Sequence, residues 1–95
     1  LKPAHQNRIN GQYDEAIEIY RAVISGDADV AEAWWGLGLA LMNTGEFDEA
    51  IEALTHATEL SPDSPKYLLD LGKLQTMLGM FDEAKPVFEQ CAYTD

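Results

Sequence analysis

The chain has 95 residues, of which 46% are hydrophobic and 24% charged, a balance that predicts one small globular domain rather than a disordered segment. Its 17 acidic and 6 basic side chains give a formal net charge of -11. Such a surface repels phosphate backbones and anionic lipid headgroups, which argues against nucleic acid and membrane surfaces as partners.

In chain order, the first predicted element is a short helix within residues 1–10, which ends before Gly11. The next pair of helices is the clearest in the sequence. One helix is predicted over Ala31–Asn43 and the second over Phe47–Leu60. Gly45 lies between them, where a left-handed cap residue favours glycine. A helix, a glycine turn and a second helix therefore form one unit.

A third unit follows. Ser64 is the expected N-cap of its first helix, and Pro65 suits the first helical position, where an N–H group has no partner. The last helix is expected to begin near Phe81 and to contain Pro86. Because Pro86 lies close to the first turn, where free N–H donors are normal, we expect a local bend rather than a break.

The units repeat. GQYDEA, GEFDEA and GMFDEA begin at glycines 11, 45 and 79, and the intervals from 11 to 45 and from 45 to 79 are both 34 residues. A fixed period of this size is typical of stacked supersecondary units. The small residues Gly38 and Ala50 lie on successive helices of one unit, so we expect the two backbones to approach closely.

The middle unit resembles the tetratricopeptide repeat (TPR). The residues that carry the resemblance are Trp34, Leu37, Gly38, Leu41, Gly45, Phe47, Ala50, Leu54, Ala57 and Pro62. The third unit departs from the pattern at Leu68, Gln75 and Phe88, and the first at Pro3 and Ala28. The resemblance implies an all-α fold, a right-handed α-solenoid of antiparallel helix pairs. It divides one TPR domain into a partial repeat 1–30 and repeats 31–64 and 65–95.

The resemblance also implies that the first helix of each pair lines a concave groove, while the second helices form the outer surface. The groove candidates are Glu32, Trp35, Leu39 and Met42 in the second repeat, Lys66, Leu69, Lys73 and Thr76 in the third, and Leu1, His5 and Arg8 in the first. We expect a peptide or helix of a partner to place an apolar group against Trp35 and an acidic group near Lys66 or Lys73.

An alternative places Trp35 in the core. Trp34 is expected to be structural, with Trp34→Ala costing roughly 3–5 kcal/mol.

The carboxylate clamp of TPR proteins that bind acidic chaperone tails maps to five positions of this chain. Those positions are Leu1, His5, Gly36, Lys66 and Asp70, and only Lys66 agrees. That ligand is therefore not expected.

The ends of the array suggest a second function, self-association, since Leu74, Leu78 and Val87 would lack the cover of a following repeat. The chain begins without Met, so an N-terminal part is expected to be missing. A chaperone for secreted proteins is a third possibility by analogy. No apolar run is long enough to span a bilayer and no signal peptide is visible, which weakly favours the cytoplasm.

No catalytic or cofactor site is expected. His5 and His56 lie far apart in sequence and lack the neighbouring ligands of a helical zinc site. Asp48 and Glu49 are adjacent in a helix and point about 100° apart, so they are better suited to a helix start than to acid–base chemistry. Cys91 falls where the repeat requires a small packed residue. We therefore expect neither an enzyme nor a metal site.

Overall fold

The computed structural model describes residues 1–94, which contain six α-helices and no strand. The helices are α1 (Lys2–Ile9), α2 (Tyr13–Gly26), α3 (Ala31–Asn43), α4 (Phe47–Leu60), α5 (Pro65–Met77) and α6 (Phe81–Thr94). Each helix packs against the next one along the chain, and α1 also contacts α3. The first helices of the first two pairs, α1 and α3, therefore lie side by side.

The turn inside each pair is built in the same way. Gly11, Gly45 and Gly79 have φ angles of 82°, 84° and 80°, the left-handed region that only glycine enters without steric cost. At the middle turn, Glu46 N donates to Leu41 O at 2.9 Å, and Gly45 N donates to Met42 O at 3.2 Å. These two bonds form a Schellman motif, which satisfies the last carbonyl groups of α3. The predicted glycine caps are confirmed.

The small residues allow the paired helices to touch. A Cβ atom on Gly38 would lie 2.7 Å from Leu54 Cγ and 3.3 Å from the Ala50 carbonyl oxygen. At the equivalent place in the next pair, a Cβ atom on Gly72 would lie 2.7 Å from the Phe88 ring. The predicted close approach of the two backbones is therefore confirmed at Gly38, whereas Gly72 makes room for the Phe88 ring.

The N-cap prediction for the third pair is confirmed. The Ser64 hydroxyl accepts a hydrogen bond from Tyr67 N at 3.4 Å and caps α5, with Pro65 at the first helical position. Helix α6 runs through Pro86 without a break, as predicted, and the local bend stays a prediction.

The C-terminal face of the solenoid is partly open. Phe88 is 37% exposed, whereas Leu54, its equivalent one repeat earlier, is completely buried because α5 follows it. Leu78 is also exposed and Val87 is half-buried. The expectation for Leu74 was wrong, because this side chain is buried in the core cluster.

Trp34 packs at the edge of the core rather than inside it. Its ring stacks on the His56 ring with 4.4 Å between centroids, and Nε1 donates to the Ala28 carbonyl at 2.7 Å. Because the side chain is only half-buried, Trp34→Ala is expected to lower the free energy of unfolding by about 2–3 kcal/mol, less than the sequence suggested. Urea denaturation measures this, and a loss below about 1 kcal/mol would contradict a structural role.

Candidate peptide-binding surface

Trp35 joins the first helices of all three pairs. Its ring lies 5.8 Å from the His5 ring on α1 and 5.8 Å from the Tyr67 ring on α5. Its Nε1 donates a 2.6 Å hydrogen bond to Asp70 Oδ2, also on α5. The side chain is half-buried, so part of the indole remains accessible to solvent. A single residue of α3 thus contacts both neighbouring first helices.

Two cations lie over the same indole. Arg8 Cζ is 5.0 Å and Lys66 Nζ is 4.1 Å from the centroid of the Trp35 ring, and Lys66 Nζ is also 5.5 Å from that of Tyr67. These distances are within the range of cation–π attraction. Among residues 1–94, the ion pairs involve His5, Arg21 and His56, and neither Arg8 nor Lys66 forms one.

Tyr20 reaches this surface from a second helix. Its hydroxyl accepts a hydrogen bond from Arg8 Nε at 3.2 Å and bonds His5 Nδ1. His5 Nε2 in turn bonds Glu32 Oε2 at 2.6 Å. With the hydrogen on Nε2, every contact is satisfied: Arg8 donates to the phenol oxygen, the phenol donates to His5, and His5 donates to the carboxylate.

We call these eight residues the Trp35 cluster. Its members are His5, Arg8, Tyr20, Glu32, Trp35, Lys66, Tyr67 and Asp70. Five of them were candidates from the sequence. Tyr20 and Tyr67 were missed, and Asp70 was considered only as a misfit to the carboxylate clamp. Tyr20 lies on an outer helix, which no periodicity argument would place near the groove.

Gly36 provides the gap through which Tyr20 reaches the cluster. A Cβ atom at this position would collide with the end of the Tyr20 ring, which is completely buried. Gly36→Ala is therefore expected to lower the free energy of unfolding by about 1–3 kcal/mol, despite the higher helix propensity of alanine. Gly26→Ala is the control, since nothing lies within 4 Å of a Cβ atom there. Equal stabilities of the two variants in urea would contradict the gap.

Burial of the phenol raises the pKa of Tyr20 above its ordinary value of 10.0, although Arg8 acts in the opposite direction. Burial also raises the pKa of Tyr67, with the Glu32 carboxylate adding to the effect. In both cases the folded state favours the neutral phenol, so the unfolded chain loses the proton first.

The stabilisation that Tyr20 provides is thus complete below pH 10.0 and is lost as the pH rises through its folded-state pKa. We expect the melting temperature to fall in this alkaline range, and to fall less in Tyr20→Phe. Tyr93→Phe, which changes an exposed phenol, controls for removal of a hydroxyl group. An unchanged alkaline slope in Tyr20→Phe would contradict the assignment.

The remaining groove candidates lie further along the same helices. Leu39 and Met42 are half-buried on α3, and Met42 packs against the core. Leu69 is 40% exposed on α5. Lys73 and Thr76 are exposed, and the Thr76 hydroxyl donates to its own helix, at Gly72 O. Partly exposed apolar side chains therefore lie on the same helices as the Trp35 cluster.

Within residues 1–94, no group of three or more His, Cys, Asp and Glu side chains is arranged to hold a metal ion. None of the helices in this range is both long and apolar enough to cross a membrane. The geometry thus presents a mixed aromatic, ionic and apolar surface built from three neighbouring helices.

This arrangement of helix pairs defines an α-solenoid with a first-helix surface that suits protein recognition. The tetratricopeptide repeat family matches residues 10–65 and, separately, residues 45–92. The chain belongs to the tetratricopeptide repeat family, and the predicted fold class is confirmed. This fold is generally a non-catalytic fold for protein interactions.

Known proteins are similar to this chain in sequence and in fold. The chain is 30% identical over 74 residues to Superkiller complex protein 3 of Mus musculus, covering 78% of this chain but 5% of that protein. It superposes on MamA from Desulfovibrio magneticus RS-1 with a TM-score of 0.92, 25% identity and coverage of 98% and 52% of the two chains.

A third relative was solved with a ligand. The second TPR of Spaghetti (RPAP3), bound to the HSP90 peptide SRMEEVD, superposes with a TM-score of 0.91. It is 26% identical, and the alignment covers 99% of this chain and 87% of that one. The present chain thus shares the fold of this module over nearly its whole length.

Proposed function

We propose that this chain binds a peptide or helix of a partner protein on its first-helix surface, centred on Trp35. The observation that carries the proposal is the Trp35 cluster. A half-buried indole, fixed by Asp70 and surrounded by aromatic and cationic side chains, has the composition typical of an interaction hot spot. The peptide bound to the RPAP3 module supports a ligand of this kind for a related fold.

The acidic chaperone tail remains a disfavoured ligand for this chain. Of the five clamp positions only Lys66 carries the clamp residue, and Asp70 has the opposite charge. Asp70 is moreover engaged as the acceptor for the Trp35 indole. The Tyr20 ring fills the space beside Gly36, and Gly36 has no side chain to offer to a ligand. The partner is therefore proposed to differ from that of the RPAP3 module.

The experiment is affinity capture with the wild-type chain and with Trp35→Ala, followed by identification of the proteins that are lost. Binding of each identified partner is then followed by fluorescence in a Trp34→Phe background, where Trp35 is the remaining tryptophan. We expect the partner to bind the wild type, to perturb Trp35 emission and to be lost from Trp35→Ala. A partner set that is identical for both chains would overturn the proposal.

Self-association is the second candidate, favoured by the exposed apolar side chains Leu78, Phe81 and Phe88 at the C-terminal face. Light scattering against concentration separates the two functions. A monomer at high concentration favours the free groove, whereas a dimer that Phe88→Ser dissociates favours self-association.

The secretion-type chaperone and the cytoplasmic location remain proposals of lower rank, as do the repeat boundaries at 30/31 and 64/65. We also propose that the chain is not an enzyme and needs no cofactor.

A further inference from the structure

The charges of the Trp35 cluster cancel when its histidine is neutral. Arg8 and Lys66 are positive, and Glu32 and Asp70 are negative. His5 is the one histidine among the eight residues, and histidine is the side chain that ordinarily changes charge between about pH 5 and 8. Acidification in this range therefore adds one positive charge to a balanced surface.

His5 lies where a proton from solvent can reach it. Its side chain is 19% exposed, and the Glu32 carboxylate bonded to its Nε2 is 50% exposed. Helix α1 packs against α2 and α3, so the ring is surrounded by groups from several helices. The ionisable groups around it are Tyr20 on α2, Glu32 on α3, Lys2 and Arg8 one turn to either side on α1, and, across the Trp35 ring, Lys66 and Asp70 on α5.

The gain of a proton reverses one hydrogen bond of this network. In the neutral ring, Nε2 donates to Glu32 and Nδ1 accepts from the Tyr20 hydroxyl. In the protonated ring both nitrogens donate. The Tyr20 oxygen then receives hydrogen bonds from two cations, His5 and Arg8, and the hydroxyl hydrogen loses its acceptor. Because a guanidinium group has no acceptor, Arg8 cannot take that hydrogen.

This second arrangement is costly unless Arg8 moves. The Tyr20 side chain is completely buried, and a buried donor without a partner is unfavourable. Arg8 is only half-buried, so its guanidinium group can turn toward solvent. Its departure leaves room beside the hydroxyl for a water molecule that accepts the hydrogen, and it separates two like charges that share one oxygen.

We propose that His5 is a pH-sensitive switch of the first-helix surface. Protonation of His5 displaces Arg8 from the Tyr20 hydroxyl and from the face of Trp35, where Arg8 Cζ lies 5.0 Å from the ring centroid. The surface thus has a neutral form with Arg8 over the indole and an acid form with Arg8 turned away. The consequence for binding rests on the proposed function: a partner that contacts Arg8 and Trp35 is held at neutral pH and released in acid.

The first test follows His5 and Arg8 in the free protein by nuclear magnetic resonance, from about pH 8 to about pH 5. We expect the Arg8 Nε–H resonance to move with the same midpoint as the His5 ring resonances, because one proton controls both. The ratio of the two forms should change by about tenfold per pH unit. A His5 ring that titrates while Arg8 Nε–H stays unchanged would overturn the switch, and so would a ring that does not titrate.

Three variants assign the response to named atoms. His5→Gln should abolish the movement of Arg8, whereas His56→Gln, which removes the exposed histidine of α4, is the matched control and should retain it. Tyr20→Phe should leave the titration of His5 and uncouple Arg8 from it, since the shared hydroxyl is gone. Circular dichroism melting of each variant verifies that the fold is retained. Equal responses of Arg8 in His5→Gln and His56→Gln would contradict the assignment.

The second test measures how far Arg8 covers the indole. Acrylamide quenching of Trp35 is recorded in the Trp34→Phe background, where Trp35 is the remaining tryptophan, at about pH 7.5 and about pH 5.5. We expect quenching to increase in acid as Arg8 leaves the ring, and to be independent of pH when Arg8→Gln is added. An increase of the same size with Arg8→Gln would overturn the displacement of Arg8.

Neither test uses a partner, so the two proposals can fail separately. Absence of coupling between His5 and Arg8 would remove the switch and leave peptide binding standing. A partner set identical for the wild type and Trp35→Ala would remove the proposed function and leave the switch as a property of the free protein.

Discussion

Tyr20→Ala is expected to lower the free energy of unfolding by about 3–5 kcal/mol, the largest effect of any substitution considered for this chain. The side chain is completely buried and lies where α1, α2 and α3 meet. Alanine would leave a cavity there and would also remove the hydroxyl that Arg8 and His5 use. The protein is a small domain with limited stability, so a loss of this size is a large fraction of the total.

The matched control is Tyr93→Ala, because Tyr93 is 92% exposed and the same atoms are removed from a position without packing. Its free energy of unfolding in urea should equal that of the wild type within about 0.5 kcal/mol. Tyr20→Phe should fall between the two, since it keeps the ring and loses the hydroxyl. If Tyr20→Ala were no less stable than Tyr93→Ala, the described burial of Tyr20 between α1, α2 and α3 would be incorrect.

Trp35→Ala is expected to have the largest effect on binding. It removes the ring over which Arg8 and Lys66 lie, and it removes the N–H group that donates a hydrogen bond to Asp70. All three side chains therefore lose a contact at once. Affinity for a partner should fall by about 2 kcal/mol or more, the loss typical of a hot spot. Because the ring is half-buried, a loss of stability of about 2–3 kcal/mol is expected as well.

The neighbouring residue offers a control with the same chemistry. Trp34→Ala removes an indole of similar burial that stacks on His56 of α4, away from the Trp35 cluster. Both variants should therefore be destabilised, while only Trp35→Ala should lose the partner at a temperature where each remains folded. Equal affinities of the two variants would show that the indole of Trp35 contributes through folding alone.

The architecture was predictable because it depends on local sequence features that recur three times along the chain. Gly11, Gly45 and Gly79 take the one backbone region that other residues avoid, and Gly38 and Gly72 leave room for a facing helix. These requirements involve neighbours in sequence or positions related by the repeat. Five of the eight residues of the Trp35 cluster were predictable for the same reason, since residues of first helices share a face.

The rest depends on contacts that no period specifies. Tyr20 occupies the position of Leu54 and Phe88 in the repeat, and only its longer, polar side chain extends past the first helices to the groove. Its route requires Gly36, whose equivalent in the third repeat is Asp70. Leu74 was misjudged because its burial follows from packing within its own pair and the preceding one. Such pairwise details need coordinates.

The span of Trp35 across three helix pairs has a consequence for how this protein can be altered. Trp35 lies on α3 and its cited contacts come from α1 and α5, so each pair contributes to the recognition surface. In a stacked array, each unit is stabilised chiefly by its neighbours. Grafting the middle unit alone into another array would transfer the indole without its cations, and exchanging either outer unit would change the specificity. Any transfer of this surface to another protein must therefore include all three helix pairs together.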